Sequence, residues 1–271
     1  MTLSMSWIRT VKSTRELIVI SDSRLSGGQS WDGNPKIFQL PRSDAVISFA
    51  GITNDAYPFI QQAIDGIRLY PPAVSRAMDI TDLKGHLVRL FNHSRSFISN
   101  LPHGQISPSP PEAVFVLSGY SWKMKEFRIW KLHFDSNIDK FTFRPTTPWQ
   151  GQNDNSKKVI AFNGDEDAVA EAKDMLVEML KSKDKIDKGS FNMEPFCILR
   201  DIIRSNRFPS VGGPIQMVKI YEHANVAPVG IFWPTKEDGN ICIFGRPIMD
   251  YEKMPWGIID PDNPTHIEPL K

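Results

Sequence analysis

Thr2-Leu3-Ser4-Met5-Ser6-Trp7-Ile8-Arg9 and Leu17-Ile18-Val19-Ile20-Ser21-Asp22-Ser23-Arg24 are the stretches that decide how this 271-residue chain folds. In the first, Leu3, Met5 and Trp7 alternate with Thr2, Ser4 and Ser6, the period of a strand with two unlike faces. The second opens on four apolar residues in a row, the pattern of a strand covered on both faces. Polar residues from Arg9 to Glu16 between them predict one long hairpin. Next outward, Gly27-Gly28 and Asp32-Gly33-Asn34-Pro35 are turn chemistry. Ile37 to Leu40 and Ala45 to Ala50 then read as a second strand pair, closing at Gly51.

Beyond Gly51 the apolar period becomes helical. Thr53, Asn54 or Asp55 can cap a helix from about Ala56 to Leu69, which Pro71-Pro72 ends. A second begins at Asp79 or Thr81, with Leu83, Leu87, Leu90, Phe91 and Ile98 on one stripe. Strands return at Ala113 to Leu117 and Phe127 to Phe134, with Ser118-Gly119-Tyr120-Ser121 read as the turn between them. Residues 136–156 are polar and irregular apart from a short strand at Phe141 to Phe143. Val159 to Phe162 is a strand, and Asn163-Gly164-Asp165 turns into a helix carrying Ala168, Ala172, Met175, Leu176 and Met179. A charged linker, Lys181 to Lys188, leads to another helix near Met193–Ser205.

Gly212-Gly213-Pro214 opens strands at Ile215 to Tyr221, Val229 to Trp233 and Ile241 to Phe244. The tail from Pro247 has many prolines and no periodicity, so it reads as a surface wrap or an interface arm. Helices arrive in pairs after groups of strands, which argues against βαβ alternation. The expected class is α+β: two antiparallel sheets face to face with a helix pair outside each, a four-layer αββα sandwich. Residues 1–233 are assigned to that domain, and 234–271 to a C-terminal extension packed on it or reaching from it.

A formal charge of +1 argues against a general grip on nucleic acid or on an anionic membrane. No stretch approaches the roughly 20 apolar residues of a membrane span. Ser4, Ser6, Arg9 and Lys12 interrupt the apolar core that a secretion signal needs, so a cytoplasmic location is the default. Cys197 and Cys242 lie in apolar patterns and read as reduced core residues. His86 and His93 stand two helical turns apart, about 10 Å, too far to share a metal. With no Cys/His cluster and no Gly-rich phosphate loop, neither metal nor organic cofactor is expected.

Thr2 follows Met1, and removal of that Met leaves a nucleophilic hydroxyl beside an α-amine of pKa ~7.7–8. By itself Thr2 is a second residue and Lys36 a surface lysine. Together, Thr2, Asp22-Ser23-Arg24, Lys36 fourteen residues after Asp22, and Ala50-Gly51 fifteen beyond that resemble the proteasome β-type subunits and their bacterial relatives. These are N-terminal-nucleophile hydrolases, whose fold is the αββα sandwich. The resemblance implies Thr2 as nucleophile with its amine as base, and Lys36 beside the hydroxyl to favour the alkoxide. It implies Asp22 as the partner that orients Lys36, and the Gly51 N–H as oxyanion donor. Asn163 and Asp165 occupy the place where the family supports the terminal amine. Arg24 reads either as part of the motif or as a local ion pair.

The chain departs from the family in spacing. Thr2 to Asp22 is about four residues longer than usual, and counting back at family spacing reaches Ser6, a start that requires cleavage after Met5. Both starts stay open at this point. Asn206, Arg207 and Phe208 hold the region where many members carry an Asp before Gly-Gly. The implied activity is a threonine peptidase acting on peptide or amide, assembled as a ring or larger homo-oligomer, with any ATPase partner undetermined. The alternatives are a small-amide acylase on the same fold and a catalytically silent scaffold or assembly subunit.

Overall fold

The computed structural model describes residues 2–149, 158–186, 189–223, 225–237, 239–254 and 256–268. The expected irregular stretch at 150–156 and the end of the charged linker, 187–188, lie outside them. In chain order come β1 (Leu3–Val11), β2 (Thr14–Ser21), a small hairpin of β3 (Leu25–Ser26) and β4 (Ser30–Trp31), β5 (Ile37–Gln39) and β6 (Ala45–Gly51). Helices α1 (Thr53–Arg68), α2 (Pro71–Val74) and α3 (Ile80–Arg95) precede β7 (Ala113–Ser121), β8 (Glu126–Asp135), β9 (Lys140–Pro145) and β10 (Ile160–Gly164). Then follow α4 (Glu166–Ser182), α5 (Glu194–Ser205), β11 (Gln216–Tyr221), β12 (Val226–Trp233), β13 (Asn240–Ile243), β14 (Arg246–Pro247), β15 (Ile258–Ile259) and β16 (Ile267–Glu268).

The fold is mixed α+β, with two large sheets in which the strands are antiparallel except where β15 runs parallel to β12. One sheet runs β10-β1-β2-β11-β12-β13-β14, with β15 and β16 joined at β12, and the other runs β5-β6-β7-β8-β9. Strand alternation divides each sheet between two cores. Leu3, Met5 and Trp7 of β1 pack with Leu176 of α4 and Phe196 and Leu199 of α5. Leu17 and Val19 of β2 and Val218 of β11 share a second core with Val46, Val116 and Ile129 of the other sheet. Ile47, Phe49 and Phe115 point the opposite way, onto Phe59 of α1 and Leu87 and Phe91 of α3.

Four expectations are corrected. Ser118 to Ser121 is not a turn, because β7 runs through Ser121. Gly119 is there for close packing: a Cβ on it would stand 2.5 Å from the Asp44 carbonyl oxygen. None of Thr53, Asn54 and Asp55 caps α1; the N-cap is Ile52, and the Asp55 carboxylate instead accepts from Glu112 N at 2.8 Å. The tail is not simply a wrap, since Ile258 and Ile259 are buried and pair with Gly230 and Ile231, extending the first sheet. Cys242 is buried as expected, but Cys197 is only half-buried.

Candidate active site

The β1–β2 hairpin is paired from Ser4–Ser21 to Val11–Thr14 and closes on a turn at Lys12, whose φ is +55°. This long pairing leaves Thr2 beside the end of β2. At that end the chain turns because Asp22 gathers backbone donors. Its Oδ1 accepts from Leu3 N at 3.1 Å, and its Oδ2 from Gly212 N at 3.0 Å and Arg24 N at 3.2 Å. The carboxylate is fully buried, and these N–H groups replace the water it loses.

Lys36, just before β5, completes the cluster. Its Nζ donates to both Asp22 carboxylate oxygens, at 3.0 and 3.1 Å, and to Thr2 Oγ1 at 2.8 Å. The lysine is fully buried and Thr2 is 1 % exposed. Burial is the largest influence on the ammonium and pulls its pKa below 10.5, while Asp22 pushes it back up. Arg24 lowers it further and Asp32 raises it. Thr2, Asp22 and Lys36 are thus in direct contact. Ser6 is not part of the group: its Oγ faces Ser118 Oγ at 3.3 Å between the sheets.

Gly51 stands at the end of β6 with φ +118°, and a Cβ there would lie 2.0 Å from the Glu112 carbonyl oxygen. Only glycine fits. Two surface hollows meet at Gly51 and Glu112. Leu25, Trp31, Ile52 and Thr53 line one, and Ala50, Val114, Asn163, Gly164 and Asp165 line the other. Gly164 ties the second hollow to Thr2, because a Cβ on it would stand 1.9 Å from the Thr2 carbonyl oxygen.

The remaining candidates hold the frame. Asp165 N donates to Thr2 O at 2.8 Å, but its carboxylate caps α4 through Asp167 N and accepts from Ser210 Oγ at 2.9 Å. Asn163 Nδ2 donates to Val114 O at 3.1 Å, linking the two sheets. Arg24 binds Asp32 through two hydrogen bonds, 2.6 and 2.8 Å, across the small hairpin. That contact raises the Arg24 pKa and lowers that of Asp32. A Cβ on Gly212 would lie 2.3 Å from the Arg24 guanidinium carbon, so the Gly-Gly pair makes room for this clamp.

Sequence reading missed Gln216, at the head of β11. It is 1 % exposed, and its side-chain amide touches the segments carrying both Asp22 and Lys36. The available signal was a lone amide between Ile215 and Met217 in an otherwise apolar run. Among the described residues, no three His, Cys, Asp or Glu side chains converge as a metal site. No protein-family model matches the chain, and neither does any curated protein.

Proposed function

We propose that the protein is a threonine-type N-terminal-nucleophile amide hydrolase whose nucleophile is Thr2 once its α-amine is free. The observation that carries this is the 2.8 Å contact between Thr2 Oγ1 and the buried Lys36 ammonium, itself held on Asp22. A positive charge at that distance in a dry site favours the alkoxide over the alcohol. The α-amine takes the hydroxyl proton as Oγ1 bonds to the substrate carbonyl carbon. The Gly51 N–H receives the developing oxyanion. The C–N bond then breaks, the amine proton passes to the leaving nitrogen, and water hydrolyses the resulting ester.

The finer fold reading, a four-layer αββα sandwich, belongs with this proposal. It is supported by one apolar core between the sheets and one between each sheet and its own helices. Hollows on both sides of Gly51 favour an extended peptide over a small amide. Assembly into a homo-oligomer and a cytoplasmic location are part of the same proposal. The exposed apolar side chains of Leu69, Phe97 and Tyr251 are consistent with such assembly.

Intact mass followed by reaction with a β-lactone tests the reading. The expected result is a chain beginning at Thr2 that gains one lactone mass, and no gain in Thr2→Ala. A retained Met1, or an unmodified folded protein, overturns the peptidase and favours the silent scaffold. Turnover of small acyl amides but not peptides moves the assignment to the acylase.

A further inference from the structure

Gln216 is a large polar side chain at the site that no motif announces. Asp22 and Lys36 lie on different segments, separated by the β3–β4 hairpin, and their meeting depends on how that loop returns. Building on the nucleophile reading above, we propose that Gln216 is the positioning residue of the Thr2–Lys36–Asp22 cluster, its one amide fixing both segments at once.

The amide oxygen accepts from the backbone of the lysine segment, Lys36 N at 2.9 Å and Ile37 N at 3.3 Å. The amide nitrogen donates to Asn34 O at 2.7 Å, Ser23 Oγ at 3.0 Å and Asp22 O at 3.1 Å. Two N–H groups thus serve three acceptors at the carboxylate segment and the loop's return. The residue reaches them from β11, where it pairs with Ser21, the residue before Asp22. An ionised Glu in this place has no donor, and Asn is one methylene, roughly 1.5 Å, too short. Gln is therefore matched to this gap by both chemistry and length.

Among the described residues, the titratable groups facing Lys36 are Asp22, Arg24 and Asp32, together with the Thr2 amine when it is free. Gln216 is uncharged, so its loss acts on Lys36 through placement and hydration. With the 34–37 segment released, water reaches the ammonium and the burial that depresses its pKa is relieved. The Thr2 Oγ1–Lys36 Nζ contact lengthens as well, which slows the chemical step and leaves probe recognition in the hollows intact.

The test uses full-length Gln216→Met and Gln216→Asn. The β-lactone inactivation is resolved into kinact and KI, and Lys36 is titrated by ¹³Cε-lysine NMR, its signal assigned by its loss in Lys36→Met. The expected result for Gln216→Met is kinact lower by at least ~tenfold with KI within ~twofold, and a Lys36 titration moved to higher pH. Gln216→Asn, which keeps the amide at the wrong reach, falls between that variant and wild type, and it carries the comparison if the Met variant does not fold. A lowered thermal midpoint with kinact and the Lys36 titration both unchanged overturns the proposal and leaves Gln216 a packing residue. If wild type forms no adduct, the nucleophile reading fails by itself. The Lys36 titration then decides Gln216 alone, an unchanged midpoint overturning it.

Discussion

The β1–β2 hairpin carries a buried lysine–carboxylate contact at each end, and only one of them also reaches a side-chain hydroxyl next to a surface hollow. At the open end Lys36 meets Asp22; toward the turn Lys219 meets Glu16 at 3.1 and 3.2 Å, with Arg9 on the same carboxylate at 2.9 Å. Both lysines are nearly or fully buried, and in both desolvation is the largest influence, pulling the pKa below 10.5. Their surroundings differ. Asp22 accepts three backbone N–H groups, whereas Glu16 is held by two cationic side chains. Lys36 also donates to a hydroxyl whose neighbours line a hollow. A perturbed buried lysine therefore does not by itself mark a site. The Thr2 hydroxyl within reach and the hollow beside it make the difference.

The largest expected effect breaks the Glu16 cluster and leaves the Asp22 cluster alone. Glu16→Gln removes the charge between Arg9 and Lys219 and leaves two buried cations facing each other, a loss of about 3–5 kcal/mol in a urea melt. The folded fraction keeps its β-lactone rate. A rate loss matching that of Lys36→Met would erase the distinction between the two ends.

Gly51→Ala comes next. The added Cβ must displace the Glu112 backbone from 2.0 Å while holding φ near +118°, costing about 2–3 kcal/mol by thermal unfolding. Because the displaced strands frame both hollows, the adduct rate falls too. A stable, fully reactive variant would remove Gly51 from the site.

The pH dependence sharpens the comparison by sign. Lactone addition needs a neutral α-amine and a charged Lys36. The rate therefore rises as the amine loses its proton and falls again below 10.5, because burial lowers the Lys36 pKa. Linkage runs the other way. The native state releases the Lys36 proton before the unfolded chain does, so this group adds stability as pH rises between its folded pKa and 10.5. Over one window stability increases while reactivity declines. Lys219, lowered in the same manner, contributes to the stability change and not to the rate. An alkaline limb that stays put when Lys36 is replaced by Met would assign it elsewhere.

The sequence disclosed whatever local periodicity or motif spacing encodes. Alternation in β1, the apolar run in β2 and the capping Asp79 of α3, which accepts from Thr81 N at 2.9 Å, are all local signals. The spacing of Asp22, Lys36 and Gly51 led to a cluster whose members do meet or border one hollow. Contacts set by distant strands stayed hidden. Gln216 acts on residues about 180 positions away. Gly119 looked like a turn because its reason, the approach of Asp44, is tertiary. The short β15 has too few residues to show a period, and its partner β12 supplies the reason it is a strand.

The smallest effect decides the alternative chain start. Ser6 pairs with Ala161 on one side and Val19 on the other, in the middle of β1. At about 3.3 Å per residue it lies roughly 13 Å along the strand from Thr2, so the two hydroxyls cannot share Lys36. A chain beginning at Ser6 would also lose Leu3 N, one of the donors that hold the Asp22 carboxylate. Ser6→Ala removes a 3.3 Å hydroxyl contact with Ser118, worth at most about 1 kcal/mol. It leaves the lactone rate within about twofold, since nothing that Lys36 touches has moved. Loss of the adduct in Ser6→Ala, with Thr2→Ala still reactive, would transfer the nucleophile to Ser6 and require β1 to open as far as the middle of its pairing with β2.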